Sequence, residues 1–218
     1  GGIHCGGFCQ NERGQRGKTV KRKGICAAAA ALLLLTLCGC WSYRGLDEMT
    51  IVSGMALDYD ARVKNYLLTC EVIDSAQMNE QQGGGTKSKL VEAQGKSVMD
   101  AARNAKKRLV NRLYWGDTQV LILGKSLLED GSMNSVIDWF LRDAECRETV
   151  GVVVSDEESA RKLLTIEGLD STVVAREIKK ILSDDQESTA SLFNVPVYRI
   201  YNTMNTPGTE LTLPKFHL

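Results

Sequence analysis

The chain has 218 residues, with 27 Lys and Arg against 27 Asp and Glu, a balance that excludes the strongly basic footprint of a nucleic-acid-binding protein. Of its seven cysteines, Cys5, Cys9, Cys26, Cys38 and Cys40 fall in the first 40 residues, leaving Cys70 and Cys146 for the body, which excludes a disulfide scaffold. The length suits one domain of ordinary size.

In chain order, residues 1–17 are glycine-rich, lack apolar periodicity and read as a non-structural extension. His4, Cys5 and Cys9 have no second ligand pair at zinc spacing. Residues 18–39 have the form of a lipoprotein signal peptide. Lys18, Lys21, Arg22 and Lys23 make the cationic leader, Ile25 to Cys38 is almost wholly apolar, and Leu37-Cys38-Gly39-Cys40 supplies a small residue before a cysteine. The run is shorter than the roughly 20 residues that span a bilayer comfortably, which favours a removed signal over a retained anchor helix. Cys40 is therefore the expected lipid-attachment residue. Cleavage without lipidation is the competing reading.

After residue 39 the chain carries 21 basic and 26 acidic residues, so basic charge gives the body no help in holding a membrane. Residues 40–49 read as a membrane-proximal linker, with Trp41 and Tyr43 placed either at the headgroup layer or simply in the linker. Residues 50–210 form the expected domain.

Within that domain, Thr50 to Tyr59 and Tyr66 to Ile73 are β-rich runs joined across Asp60 to Asn65 as a hairpin. Cys70 alternates with Leu68 and Val72 and is expected to pack as a small apolar residue. A Cys70–Cys146 bridge is the alternative. Ala76 to Lys89, with Gly83, Gly84 and Gly85, reads as a surface loop. Ser97 and Asp100 form a capping box for a helix whose apolar stripe is Val98, Ala102, Ala105, Leu109 and Leu113. Its basic residues Arg103, Lys106, Lys107 and Arg108 are expected to be a solvated face.

Val120 to Leu123 is a continuous apolar run, expected as a strand covered on both sides, with Thr149 to Ser155 as its neighbour. Between them Ser132 is expected to cap a helix carrying Val136, Ile137, Phe140 and Ala144. Ser155 with Glu158 predicts a second capping box before Ala160, Leu163 and Leu164. Asp170 opens a helix striped by Val174, Ile178, Ile181 and Leu182. Pro196 suits the first turn of a last helix striped by Val197, Ile200, Tyr201 and Met204 and stopped by Pro207-Gly208. The sum is an α+β fold, a mixed sheet packed with several amphipathic helices.

Catalytic motifs are incomplete. Gly95-Lys96-Ser97 and Gly124-Lys125-Ser126 have the tail of a phosphate-binding loop, but Leu90 and Gln119 stand where its first glycine belongs. After residue 39 the sole histidine is His217, no Gly-x-Ser-x-Gly elbow occurs, and no cluster has metal-ligand spacing. These residues predict neither an enzyme nor a cofactor.

Taken together, the motifs resemble the Ger(x)C family, the lipoprotein C subunits of bacterial spore germinant receptors. The resemblance runs from Gly39-Cys40-Trp41 with Arg44, Leu46 and Asp47 through Ile51-Val52-Ser53-Gly54-Met55-Ala56-Leu57-Asp58. It continues in Tyr66, Thr69, Val72-Ile73, the Ser97 to Leu113 segment, Val120 to Gly131 and Phe140 with Arg142, Asp143, Glu145 and Arg147, and ends at Tyr198 through Pro214. Gly45, Cys146 and Asp117 depart from the family pattern, where an acidic residue, an aliphatic one and a histidine are common.

The resemblance implies a non-enzymatic subunit on the outer face of the spore's inner membrane. Its expected partners are two integral membrane subunits, A and B, and the membrane itself through the lipid on Cys40, with no cofactor and no nucleic acid. It also implies that residues 211–218 begin a further domain. Arg142, Asp143 and Arg147 are candidate contacts, set against the simpler reading of a local ion-pair network. The alternative function is a solute-binding lipoprotein, which would need two similar lobes and a cleft.

Overall fold

The computed structural model describes residues 48–74, 88–130, 132–166, 173–188 and 193–217. Cys40, Trp41, Tyr43, Asp170 and nearly all of the expected surface loop lie outside the described residues.

An eight-stranded mixed sheet organises the fold. The hairpin is β1 (Met49–Asp60) and β2 (Asn65–Asp74), antiparallel, with β3 (Ser88–Gly95) antiparallel on its outer edge. On the other edge of β1, β4 (Arg112–Tyr114) and β5 (Val120–Gly124) both run parallel to it. Beyond β5 come β6 (Gly151–Ser155), parallel, and β7 (Val195–Pro196), antiparallel. Finally β8 (Lys215–Phe216), in the stretch expected to start a further domain, pairs in parallel with β6. The path β3-β2-β1-β5-β6-β7 confirms the α+β reading.

Helices cover both faces because the central strands are apolar on both. From β5, Leu121 and Leu123 enter one core and Val120 and Ile122 the other. The first core receives helix α1 (Val98–Lys106), the short α2 (Lys125–Glu129), α3 (Met133–Arg142) and α5 (Val197–Met204). Trp139 anchors it, set edge-on to Trp115 and Phe140 with centroids 5.6 and 5.0 Å apart, an arrangement that aligns ring edges with ring faces. The second core receives a 3-10 helix (Ala160–Thr165) and α4 (Val174–Ser188).

A bulge in β1 between Val52 and Gly54 decides which residues face which core. An extra residue reverses the alternation, so Val52, Met55 and Leu57 share the first core while Ala56 belongs to the second. Gly54 lies against the second layer, where a Cβ would sit 2.5 Å from that of Ala175.

Several expectations are corrected. The loop placed over 76–89 overruns, since Ser88 and Lys89 begin β3, an edge strand whose polar residues dilute its alternation. The capping box is real, with the Asp100 amide donating to Ser97 Oγ at 3.1 Å, but α1 ends at Lys106. Leu109 lies past it and Leu113 is in β4.

Ser132 is the N-cap of α3 and its carbonyl accepts from the Ser135 amide, but its hydroxyl makes no capping bond and donates to Asp130 instead; Ala144 lies beyond the helix end. Ser155 ends β6. The turn after it is capped by Ser159, whose Oγ accepts from the Arg161 amide, and it is a 3-10 helix. Ile181, Tyr201 and Met204 are exposed at the margins of their stripes. Cys70 is buried and free and Cys146 is free, so no bridge joins them. Gly95 and Gly124 are packing residues: a side chain at Gly95 would collide with the backbone of Ala101, and one at Gly124 with Asp58 Oδ1.

Candidate functional site

Two carboxylates on the hairpin are buried, and both are bound to helix starts. Asp58 in β1 accepts from the Ala160 amide with both oxygens, each at 3.0 Å, and from Ser159 Oγ at 2.7 Å. Glu71 in β2 accepts from the amides of Val174 and Ala175 at 2.8 and 2.9 Å, and from the hydroxyls of Ser88 and Ser53 at 2.8 and 2.9 Å. A carboxylate at a helix N-terminus satisfies amides that lack intrahelical partners and opposes the positive end of the helix dipole. Both oxygens of each carboxylate are therefore occupied by donors. Glu71 carried no site signal in the sequence beyond being a lone acid in a β-rich run.

The segment after α3 holds the candidate contacts. Arg142 donates through Nε to both oxygens of Asp138 at 2.7 and 2.8 Å, an i,i+4 pair on exposed helix surface. Asp143 Oδ1 accepts from the Glu145 amide at 2.9 Å, and Glu145 pairs with Arg112 of β4. Both candidates are thus engaged locally, Arg142 in an ion pair and Asp143 in a turn. Next to them, burial and the nearby Asp143 charge push the Cys146 thiol up to about 12.

Arg147 takes no part in these contacts. It lines a cavity of about 370 Å³ beside the leading ends of β5 and β6, together with Lys179 of α4, Gln119, Thr149, Asn194 and Tyr198. Neither Arg147 nor Lys179 has a carboxylate partner among the described residues. Partial burial lowers the Lys179 pKa by desolvating its ammonium. Sequence pattern singled out Arg147 but not Lys179, which lines the same cavity only because α4 packs on the sheet.

Among the described residues no group of His, Cys, Asp and Glu could hold a metal ion, and no helix is long and apolar enough to cross a membrane.

Residues 42–218 match the family model described as the spore germination protein N-terminal domain. Spore germination protein KC of Bacillus subtilis (strain 168) is 23% identical over 200 residues, covering 89% of this chain and 49% of that protein. Spore germination protein B3 of the same organism is 26% identical over 117 residues, 54% of this chain and 31% of that protein. The chain thus spans half or less of the length of these curated relatives. No solved structure gives a significant match.

Proposed function

Because the chain belongs to the family of the spore germination protein N-terminal domain, we propose that it is a non-enzymatic lipoprotein subunit of a spore germinant receptor, needed for the response to nutrient germinants. The observation that carries this reading is the family match over residues 42–218, together with similarity to two proteins named for spore germination.

Chemistry supports the non-enzymatic part. Asp58 and Glu71 are both engaged as helix caps, and Arg142 and Glu145 are taken up in ion pairs with Asp138 and Arg112. The partners in this reading are the integral membrane A and B subunits. The lipid is carried on Cys40, which holds the domain on the outer face of the cytoplasmic membrane, the inner membrane of the spore. Acylation by more than one chain gives stable anchoring, at about 0.8 kcal/mol per buried CH2, where a single chain is marginal.

Deletion of the gene in its spore-forming host tests the receptor role. Germination with particular nutrients should be lost and restored by the intact gene. Unchanged germination with every nutrient, in a strain without redundant receptors, would refute it. Cys40→Ala tests the anchor: acyl labelling should vanish and the protein should leave the membrane fraction, whereas unchanged labelling and retention would put the lipid on another residue.

A further inference from the structure

We propose that the cavity between Arg147 and Lys179 is a binding site for a small free oxyanion, the head group of an organic acid or of a phosphate compound. This goes beyond the receptor reading and does not depend on it.

Charge carries the argument. Two cations from distant parts of the chain converge on one concavity, and no described residue lining it is acidic. Near the end of α3, by contrast, Arg142 takes Asp138 and Arg112 takes Glu145. Arg147 and Lys179 stand apart from that pattern, and Lys179 is partly desolvated as well. An ammonium drawn out of water without a counter-charge is an unfavourable arrangement, which an anion in the cavity would relieve.

The two donors also differ usefully. A guanidinium presents a planar fork that matches two oxygens of a carboxylate or phosphate, while an ammonium acts as a point charge. Thr149 and Tyr198 add hydroxyls at the rim, and Pro196 and Val150 give it an apolar wall. A volume of about 370 Å³ lies at the lower end of ligand pockets, roughly 300–1,000 Å³. It admits a compact organic anion with a few waters. The shared oxyanion chemistry fits two sources, a carboxylic acid and a phosphate, and separate probes distinguish them.

Isothermal titration calorimetry of the full chain in a zwitterionic detergent, with malonate and with inorganic phosphate, tests the site. At least one anion should bind saturably with a Kd tighter than about 1 mM, and the tighter of the two identifies the head group. Arg147→Gln and Lys179→Gln should each weaken that binding about tenfold, the worth of one charge-assisted hydrogen bond, with the urea unfolding midpoint unchanged. Absence of saturable binding by both anions would overturn the proposal. So would binding that persists unaltered in the double variant, since the anion would then be seated elsewhere. Neither result bears on germination in deletion strains, so this site and the receptor role can fail separately.

Discussion

Glu71 Oε1, in the second strand of the hairpin, lies 2.8 Å from the amide nitrogen of Val174, the first residue of α4 and 103 positions further along the chain. Its other oxygen accepts from the next amide, of Ala175, at 2.9 Å. Asp58, one strand over, does the same for the 3-10 helix at Ala160. The hairpin thus fixes the start of both elements that cover the second core. The residues around these contacts are those of the Ile51 to Asp58 motif: Ser53 donates to Glu71, Gly54 makes room for Ala175, and Asp58 caps.

Glu71→Ala leaves the buried amides of Val174 and Ala175 without their side-chain acceptor. A loss of about 3 kcal/mol is expected, read as a lower urea midpoint, with faster amide hydrogen exchange concentrated at the start of α4. An unchanged midpoint would show that the cap contributes nothing.

Gly124→Ala places a methyl group on Asp58 Oδ1 and near the Leu57 carbonyl, at 3.4 Å. Asp58 must then move off Ala160. Crowding and a weakened cap together should cost about 2 kcal/mol or more. Gly208 has φ of 81° and nothing within 4 Å of a Cβ, so Gly208→Ala should cost only backbone strain, about 1 kcal/mol. Equal thermal shifts for the two variants would contradict this account.

Asp156 is held by Lys125 and Lys215, which lower its pKa from the ordinary 3.8 to about 2. The folded state favours the ionised carboxyl, so its stabilising effect is complete above about pH 4 and is lost as pH falls through about 2. Acid titration of folding stability should therefore be shallower in Asp156→Asn between those values. An identical slope in the variant and the parent would remove this group from the acid transition.

Cys70 is fully buried and its thiol is pushed far up by that burial alone. Because the thiolate is the reactive form, iodoacetamide at pH 8 should leave Cys70 unmodified in the folded protein and label it after unfolding. Cys146 should react slowly. A linked Cys70–Cys146 peptide in a non-reducing digest would overturn the free-thiol assignment.

Local pattern made much of this fold legible. Alternation and turn composition placed the hairpin, the continuous run Val120 to Leu123 declared a strand covered on both faces, and α1, α3, α4 and α5 follow from 3.6-residue stripes. The missed elements are the five-residue α2 and the strands β3, β4, β7 and β8, which are short or polar-faced and gain their hydrogen bonds from strands distant in sequence. The overlong stripe through Leu109 and Leu113 arose because a helical spacing continued by coincidence into a strand that pairs with Thr50.

Residue order by itself determined the family motif, the helix and strand periods, the cysteine economy and the expected tether at Cys40, since each is set by neighbours within a few positions. Only the tertiary structure decided that Glu71 and Asp58 are caps, that a bulge beside Ser53 divides β1 between two cores, and that Arg147 shares a cavity with Lys179. The physical reason is range. Periodicity reports which face a residue takes, whereas the partner that satisfies a buried charge or amide is chosen by sheet register and helix packing among groups separated by up to about a hundred residues, and no local window contains both.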